Sequence, residues 1–486
     1  MGSPDNPAMN SRHLARLWLA LTIALAAAAH AQTASPVMPA QLPAEVSAAL
    51  ARAKLPPESV TVLVTDADGR TPPRLSHRAQ VPVNPASVMK LVTTYAALDQ
   101  LGPAFSWQTP VYIDGPVQNG TLNGNLYIRG QGDPKLVVER VWLLLRRVQG
   151  LGIRSIAGDI VLDRSAFDVP EQDPGAFDGE PLRPYNASPD ALLLNYKSVV
   201  MTFVPDRNAN VAQVQYEPPL AGVQMPATVP LTLEACGDWR GALRADFADP
   251  SRIRFLGGYP ATCGERVWPV AYVEPRSYAT RAVEGMWRDL GGALRGVVRE
   301  GPVPAGLKPA FEVGSPLLGE VIRDINKYSN NVMAQQLFLT LSLQARGRGT
   351  LENSRDVIRQ WWSERFGAAD MPVMDNGSGL SRSERISAQG LARLLLAAWA
   401  SPVMPELMSS LPITGVDGTM RRSRAKSIGA AHLKTGTLRD SSGVAGYVHA
   451  ASGRRYVVVM IANHPNAPAV RPAIDALVDW VARDQP

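Results

Sequence analysis

The chain has 486 residues, 45% of them hydrophobic and 19% charged, with a formal net charge of +6. That length exceeds what one compact core usually holds, and the ordinary composition excludes a largely disordered chain, so two or three packed units are expected. The positive balance suits an acidic substrate or an anionic envelope; no nucleic-acid partner is expected, because no Lys/Arg block or aromatic–basic interleaving occurs.

The first element has the layout of an export signal. Arg12 and Arg16 precede an apolar run from Leu17 to Ala29, and Ala29-His30-Ala31 supplies small residues at the two positions a signal peptidase inspects. The run is too short to span ~30 Å of hydrocarbon, which favours cleavage of residues 1–31 over a membrane anchor. No Cys follows it, against a lipoprotein, and no later stretch is long and apolar enough to cross a membrane.

A Pro/Ala-rich segment from Pro36 to Pro57 leads into Val60-Thr61-Val62-Leu63-Val64-Thr65, a β-type run ended by Asp66-Ala67-Asp68-Gly69. A helix is expected next, with Asn84 as N-cap, Pro85 at its first position and Gly102 closing it.

Residues 103–308 have a different character. Short β-like runs such as Leu126-Tyr127-Ile128 and Asp159-Ile160-Val161-Leu162 alternate with Gly, Pro, Asn and Asp, and predict a β-rich insertion of one or two nested units. Both cysteines, Cys236 and Cys263, fall here. In an oxidising compartment a disulfide is favoured over free thiols, and neither Cys has a partner at zinc-ligand spacing, so no metal is expected.

Helical periodicity returns at Ser315: Leu317, Leu318, Val321, Ile322 and Ile325, then Val332, Met333, Leu337, Phe338 and Leu341 after a break at Tyr328-Ser329. Two strands are expected at Val444–His449 and Tyr456–Asn463, and an amphipathic closing helix over Val470–Arg483. Residues 32–102 and 309–486 thus read as one discontinuous α/β (α+β) domain interrupted by the insertion.

Three short motifs could carry chemistry. In Ser87-Val88-Met89-Lys90 the hydroxyl and amine share a helix face, so a desolvated, neutral Lys90 could take the proton of Ser87. The pattern alone is weak: Ser423-Arg424-Ala425-Lys426 matches it too, in a charged stretch without an apolar face that reads as a solvated loop. Ser329-Asn330-Asn331 sits where one amphipathic helix ends and another begins, where a plain turn and cap would also place it. In Lys434-Thr435-Gly436-Thr437, an edge strand would point Lys434 and Gly436 one way and Thr435 and Thr437 the other. Gly436 would let a substrate backbone lie close. The order Ser-x-x-Lys, Ser-x-Asn, Lys-Thr-Gly carries more weight than any one motif.

With these motifs, and with Gly132-Asp133-Pro134, Tyr185-Asn186-Ala187-Ser188-Pro189, Leu194-Asn195, Gly377-Ser378-Gly379-Leu380-Ser381-Arg382 and Asp417-Gly418-Thr419, the chain resembles the class C, low-molecular-mass penicillin-binding proteins. These are periplasmic D-alanyl-D-alanine carboxypeptidases/endopeptidases, which need no cofactor. The resemblance implies a serine peptidase domain of penicillin-binding/β-lactamase type, an antiparallel sheet flanked by helices with a large insertion. It implies peptidoglycan stem peptides as substrates and β-lactams as covalent inhibitors. Carried over by position, Ser87 attacks the penultimate D-Ala carbonyl, Lys90 is general base, Ser329 relays a proton to the leaving group, and Asn331 holds the substrate amide. Lys434 shapes the field, Gly436 admits the substrate, and Thr435 and Thr437 contact the terminal carboxylate. Backbone N–H groups of Ser87 and Thr437 form the oxyanion hole, Arg382 approaches a free carboxylate, and Asp173 meets an amino group of the peptide. Asn330 and Gln335 depart from the family's usual Asp and Glu. A β-lactamase of class A would carry a Glu with an Asn four residues later after the second motif, and none occurs after Ser329.

Overall fold

The computed structural model describes residues 1–2 and 41–485; the expected signal segment, residues 1–31, falls almost wholly outside the described residues. Five strands build the central sheet: β1 (Val60–Asp66), β2 (Leu75–His77), β3 (Ala431–Thr437), β4 (Ser441–His449) and β5 (Arg455–Asn463). They lie in the order β3-β4-β5-β1-β2, every pair antiparallel, so chain segments almost 400 residues apart are joined in register, Val62 opposite Met460.

Among the described residues, the helices flanking this sheet include α1 (Ala44–Arg52), α2 (Lys90–Leu101), α3 (Leu318–Lys327), α4 (Asn331–Arg346), α5 (Leu351–Phe366), α6 (Ala388–Trp399) and α7 (Arg471–Ala482). Leu63, Val457, Val459 and Ile461 face a core built with α2–α6, including Tyr95, Phe338 and Trp362. The alternate residues Val62, Val458 and Met460 are equally buried, because α1 and α7 pack together and α7 lies on β4. Coverage of both faces explains why these strands read as near-continuous apolar runs.

Helix α2 is enclosed on every side over most of its length: Lys90 to Leu98 are buried without a break. Its two interior threonines find partners, Thr93 Oγ1 donating to the Gly377 carbonyl (2.7 Å) and Thr94 Oγ1 to that of Lys90 (2.8 Å). Gly102, at φ +77°, ends the helix as expected.

Between α2 and α3 a second buried cluster forms, distinct from the first. One five-stranded sheet there runs from Val298–Glu300 through Ile160–Asp163, Leu126–Arg129 and Gln108–Ile113 to Phe311–Gly314. A second joins Ser198–Asp206 with Val211–Glu217, Thr228–Thr232, Tyr259–Pro260 and Arg266–Ala271. The pairing of Phe311–Gly314 with Gln108–Ile113 carries the first sheet slightly past residue 308. This region is less purely β than its punctuation implies: Val138–Gly150 and Pro275–Asp289 are helices, burying Val141, Leu144, Leu145 and Val148 from the first at helical spacing. Cys236 and Cys263 form a disulfide with Cα atoms 4.8 Å apart across a separation of 27 residues. Closing a loop of that size contributes about 3 kcal/mol in the chain-entropy account. Among the described residues no helix is long and apolar enough to cross a membrane.

Candidate active site

The three motifs converge on one cleft beside the edge strand β3. Ser87 lies in a tight turn, Ala86–Met89, that runs directly into α2, whose first residue is Lys90. One turn therefore brings the two side chains together: Lys90 Nζ donates to Ser87 Oγ at 2.9 Å. The same ammonium is held by Asn331 Oδ1 at 2.7 Å and by the Ser378 carbonyl. Lys90 is 0% exposed.

Ser329 occupies the break between α3 and α4 and adopts φ +57°. Its hydroxyl accepts from Lys434 Nζ at 2.9 Å, linking the second motif to the third. Asn330, where the family more often has Asp, is the N-cap of α4, its Oδ1 accepting from Met333 N at 3.0 Å. Asn331 begins α4 and turns its amide toward the Tyr185 carbonyl at 3.4 Å. Asp417 pairs with buried Lys327 at 2.6 Å and so anchors the turn bearing Thr419.

On β3 the expected alternation holds. Lys434 points inward and is fully buried, and Gly436 meets the nucleophile's turn so closely that an added Cβ would sit 2.5 Å from the Pro85 carbonyl oxygen and 2.9 Å from Ser87 N. Thr435 faces the other way, its hydroxyl donating to Thr419 Oγ1 at 2.7 Å, and Thr437 is exposed.

Burial sets the charges. Desolvation pulls Lys90 down to about 7, partly opposed by the nearby carboxyl of Glu384. Lys434 is held well below its ordinary value by burial, reinforced by the like charge of Lys90. Burial pushes Glu384 up to about 7. A hydroxyl hydrogen-bonded to a lysine that titrates near neutrality is a nucleophile next to a usable base.

Glu384 escaped the sequence reading. It is fully buried; its Oε1 accepts from the backbone N–H groups of Asp375 (3.1 Å), Asn376 (3.2 Å) and Gly377 (3.0 Å), while its Oε2 has no protein partner. It thereby pins the loop whose Ser378 carbonyl holds Lys90. Its position two residues beyond the Gly377–Arg382 run was the one available signal.

Arg382 and Asp173 come to one cavity of about 370 Å³, with Gln335, Asn376 and Ser381 on its walls. Arg382 donates to Asp440 Oδ1 at 3.1 Å and lies 4.5 Å over the Phe177 ring. Asp173 sits on an exposed turn and accepts from Gly175 N. The second Ser-x-x-Lys match, Ser423 to Lys426, lies in a loop tied to Asp475 and Asp479.

A five-stranded antiparallel sheet flanked by helices, with a serine, a lysine and an edge strand so disposed, is the architecture of penicillin-binding serine peptidases. The chain belongs to the D-Ala-D-Ala carboxypeptidase 3 (S13) family, whose model matches residues 42–484. It is a serine-type D-alanyl-D-alanine peptidase. Among its relatives, a D-alanyl-D-alanine carboxypeptidase of an Actinomadura species is 28% identical over 419 residues, covering 81% of this chain and 76% of that one. A D-alanyl-D-alanine carboxypeptidase of Haemophilus influenzae is 26% identical over 397 residues, covering 78% and 80%. The crystal structure of penicillin-binding protein 4 from Haemophilus influenzae superposes with a TM-score of 0.71 at 23% identity, covering 90% of this chain and 99% of that one.

Proposed function

We propose that this peptidase acts on peptidoglycan stem peptides through an acyl-enzyme on Ser87, and that β-lactams trap it at that step. Neutral Lys90 takes the Ser87 proton as Oγ attacks the penultimate D-Ala carbonyl. The oxyanion is received by the N–H groups of Ser87 and Thr437, devices whose single donors elsewhere contribute ~3–4 kcal/mol. As the C–N bond breaks, the proton that Lys90 took passes through the Ser329 hydroxyl to the departing amine, which leaves Lys90 neutral again, with Lys434 fixing the Ser329 hydroxyl. Asn331 orients the substrate amide and Thr437 its carboxylate. Water then attacks the ester, Lys90 accepting its proton and returning it to Ser87 Oγ as the C–O bond breaks, so that Ser87 and Lys90 are both restored. Arg382 and Asp173 would meet charged groups on the peptide's side-chain end. The observation that carries this reading is the 2.9 Å hydrogen bond between Ser87 and a lysine buried without any carboxylate ion pair among the described residues.

Two further proposals accompany it. The export-signal layout of residues 1–31 supports a location in the periplasm, soluble or loosely envelope-associated. The separate buried clusters support a peptidase domain of residues 32–102 and 309–486 interrupted by an insertion over residues 103–308.

Benzylpenicillin tests the mechanism. Wild type should form a stable one-to-one adduct on the Ser87 peptide, and Ser87→Ala should lose both the adduct and D-Ala release from a pentapeptide. Release by Ser87→Ala at the wild-type rate would remove Ser87 from its role.

A further inference from the structure

Beside β3 lies a cavity whose basic wall the mechanism above does not use. It has a volume of about 350 Å³ and is walled by Thr435, Gly436 and Thr437 on one side and by Arg422, Arg424 and Arg471 on the other. All three arginines are exposed, and none is ion-paired to a carboxylate among the described residues. Asp475 is the one acidic residue lining the cavity. Its two oxygens are already engaged, Oδ1 accepting from Ser423 Oγ at 2.6 Å and Oδ2 from Arg424 N at 3.1 Å, so it ties down the loop. Arg471 is also the first residue of α7, a 12-residue helix whose N-terminal end adds positive potential. Elsewhere on this molecule exposed arginines are often matched, as Arg254 is by Asp246, Arg299 by Asp159 and Arg288 by Glu284. Three unmatched guanidinium groups around one hollow leave it with a surplus of positive charge.

The position of the hollow gives it a meaning. Gly436 borders both this cavity and the nucleophile's turn, and Thr437, which lines the cavity, is the group assigned above to the leaving group's carboxylate. A free D-Ala ends at that carboxylate and has nothing to place beyond Thr437. The amine released from a cross-link is part of a second peptide, which continues and carries more carboxylates. We propose that this cavity is an anion subsite for the departing half of a cross-linked peptide, and that it biases the enzyme toward cross-link hydrolysis over release of single D-Ala. The inference rests on the acyl-enzyme reading, since that reading sets which side of β3 the leaving group occupies. It also gives a role to the basic stretch around Ser423–Lys426, which the sequence offers only as a charged loop.

The test compares wild type with Arg422→Ala/Arg424→Ala/Arg471→Ala on a purified muropeptide dimer, on a monomeric pentapeptide and on benzylpenicillin, at low and high salt. The three residues are exposed, so the variant should melt as wild type does; Arg424→Glu alone provides an independent check. Loss of two or three exposed ion pairs should lower kcat/KM on the dimer about tenfold. Wild-type dimer hydrolysis should fall with added salt and the variant's should not. D-Ala release and penicillin acylation should stay within about twofold of wild type, the scale of a surface substitution. An undiminished dimer rate, or an equal loss on monomer and dimer, overturns the subsite. Failure of wild type itself to form the penicillin adduct would instead overturn the acyl-enzyme reading beneath it.

Discussion

Gly436 offers the sharpest test of how β3 is fitted against the nucleophile. A Cβ at this position would lie 2.5 Å from the Pro85 carbonyl oxygen and 2.9 Å from both Ser87 N and Val88 N. All three neighbours are backbone, so no side chain can swing away. For Gly436→Ala the strand must retreat by about 1 Å to regain the roughly 3.5 Å spacing of nonbonded heavy atoms. That retreat moves Thr437 N–H away from Ser87 and opens the proposed oxyanion hole. A misplacement of about 1 Å at a reacting centre costs about 100-fold in rate, and overpacking costs about 1–3 kcal/mol in stability. The assay is the rate constant for acylation by benzylpenicillin, followed by intact mass, beside a thermal melt. Gly150→Ala is the control, because nothing lies within 4 Å of a Cβ there, and it should acylate as wild type. Gly436→Ala that acylates within threefold of wild type and melts unchanged would refute the claim that this strand is packed onto the Ser87 turn.

The remaining predictions concern charge and the insertion. On the proposed mechanism acylation requires unprotonated Lys90, and burial lowers its pKa to about 7, so kcat/KM for D-Ala release should rise with pH through about 7 and level off above. Glu384 raises the Lys90 pKa; Glu384→Gln keeps an acceptor for the Asp375–Gly377 N–H groups but removes the charge, so this acid limb should move to lower pH. A limb that stays in place or moves up would exclude the coupling. Replacing Cys236 and Cys263 with serine should lower stability by about 3 kcal/mol in a denaturant titration. It should leave penicillin acylation intact, because the bridged residues belong to the second buried cluster and Ser87 and Lys90 to elements packed in the first; loss of acylation in the folded variant would show that the two are coupled.

The parts of the site legible in the sequence are those fixed by side-chain identity and local spacing. Ser87 and Lys90 meet because three residues make nearly one helical turn, and Lys434 and Gly436 share a face because strands alternate. What sequence reading missed is contributed by backbone. The Ser378 and Tyr185 carbonyls that hold Lys90 and Asn331 have no residue-type signature. Glu384 was invisible for a related reason: a carboxylate between Ser383 and Arg385 reads as surface charge, and only the tertiary fold buries it against three amides. The two helices in the insertion lay hidden because frequent Gly and Pro drew attention to turns, although Val141, Leu144, Leu145 and Val148 recur at helical spacing. Arg382 and Asp173, taken from resemblance alone, do reach one cavity, yet Arg382 is already engaged by Asp440.

Asn84, expected as the N-cap of α2 with Pro85 at its first position, is not that cap: Pro85 holds the cap position of the Ala86–Met89 turn and α2 begins only at Lys90. Its Oδ1 does accept from Ala86 N at 2.9 Å. Its Nδ2 also donates to the Ser381 carbonyl (2.9 Å), and its backbone N–H donates to Asn463 Oδ1 (2.8 Å). Its carbonyl accepts from Ser441 Oγ (2.7 Å) and Asn463 Nδ2 (2.9 Å). The residue just ahead of the nucleophile, Ala86, is fully buried and held at φ +49°, a conformation that costs a non-glycine residue about 1–3 kcal/mol. Such a turn persists only where its surroundings over-determine it. Asn84 supplies that, fastening the turn to β4, to the end of β5 and to the Ser378–Arg382 loop at once. Ser329, at φ +57°, is the second non-glycine residue of the cleft held in this region, fixed from the opposite side by the Asn330 cap and by Lys434. Both serines of the cleft are therefore positioned by strained backbone braced from several elements, so their geometry is set before substrate arrives, which is where electrostatic catalysis gains its advantage over water.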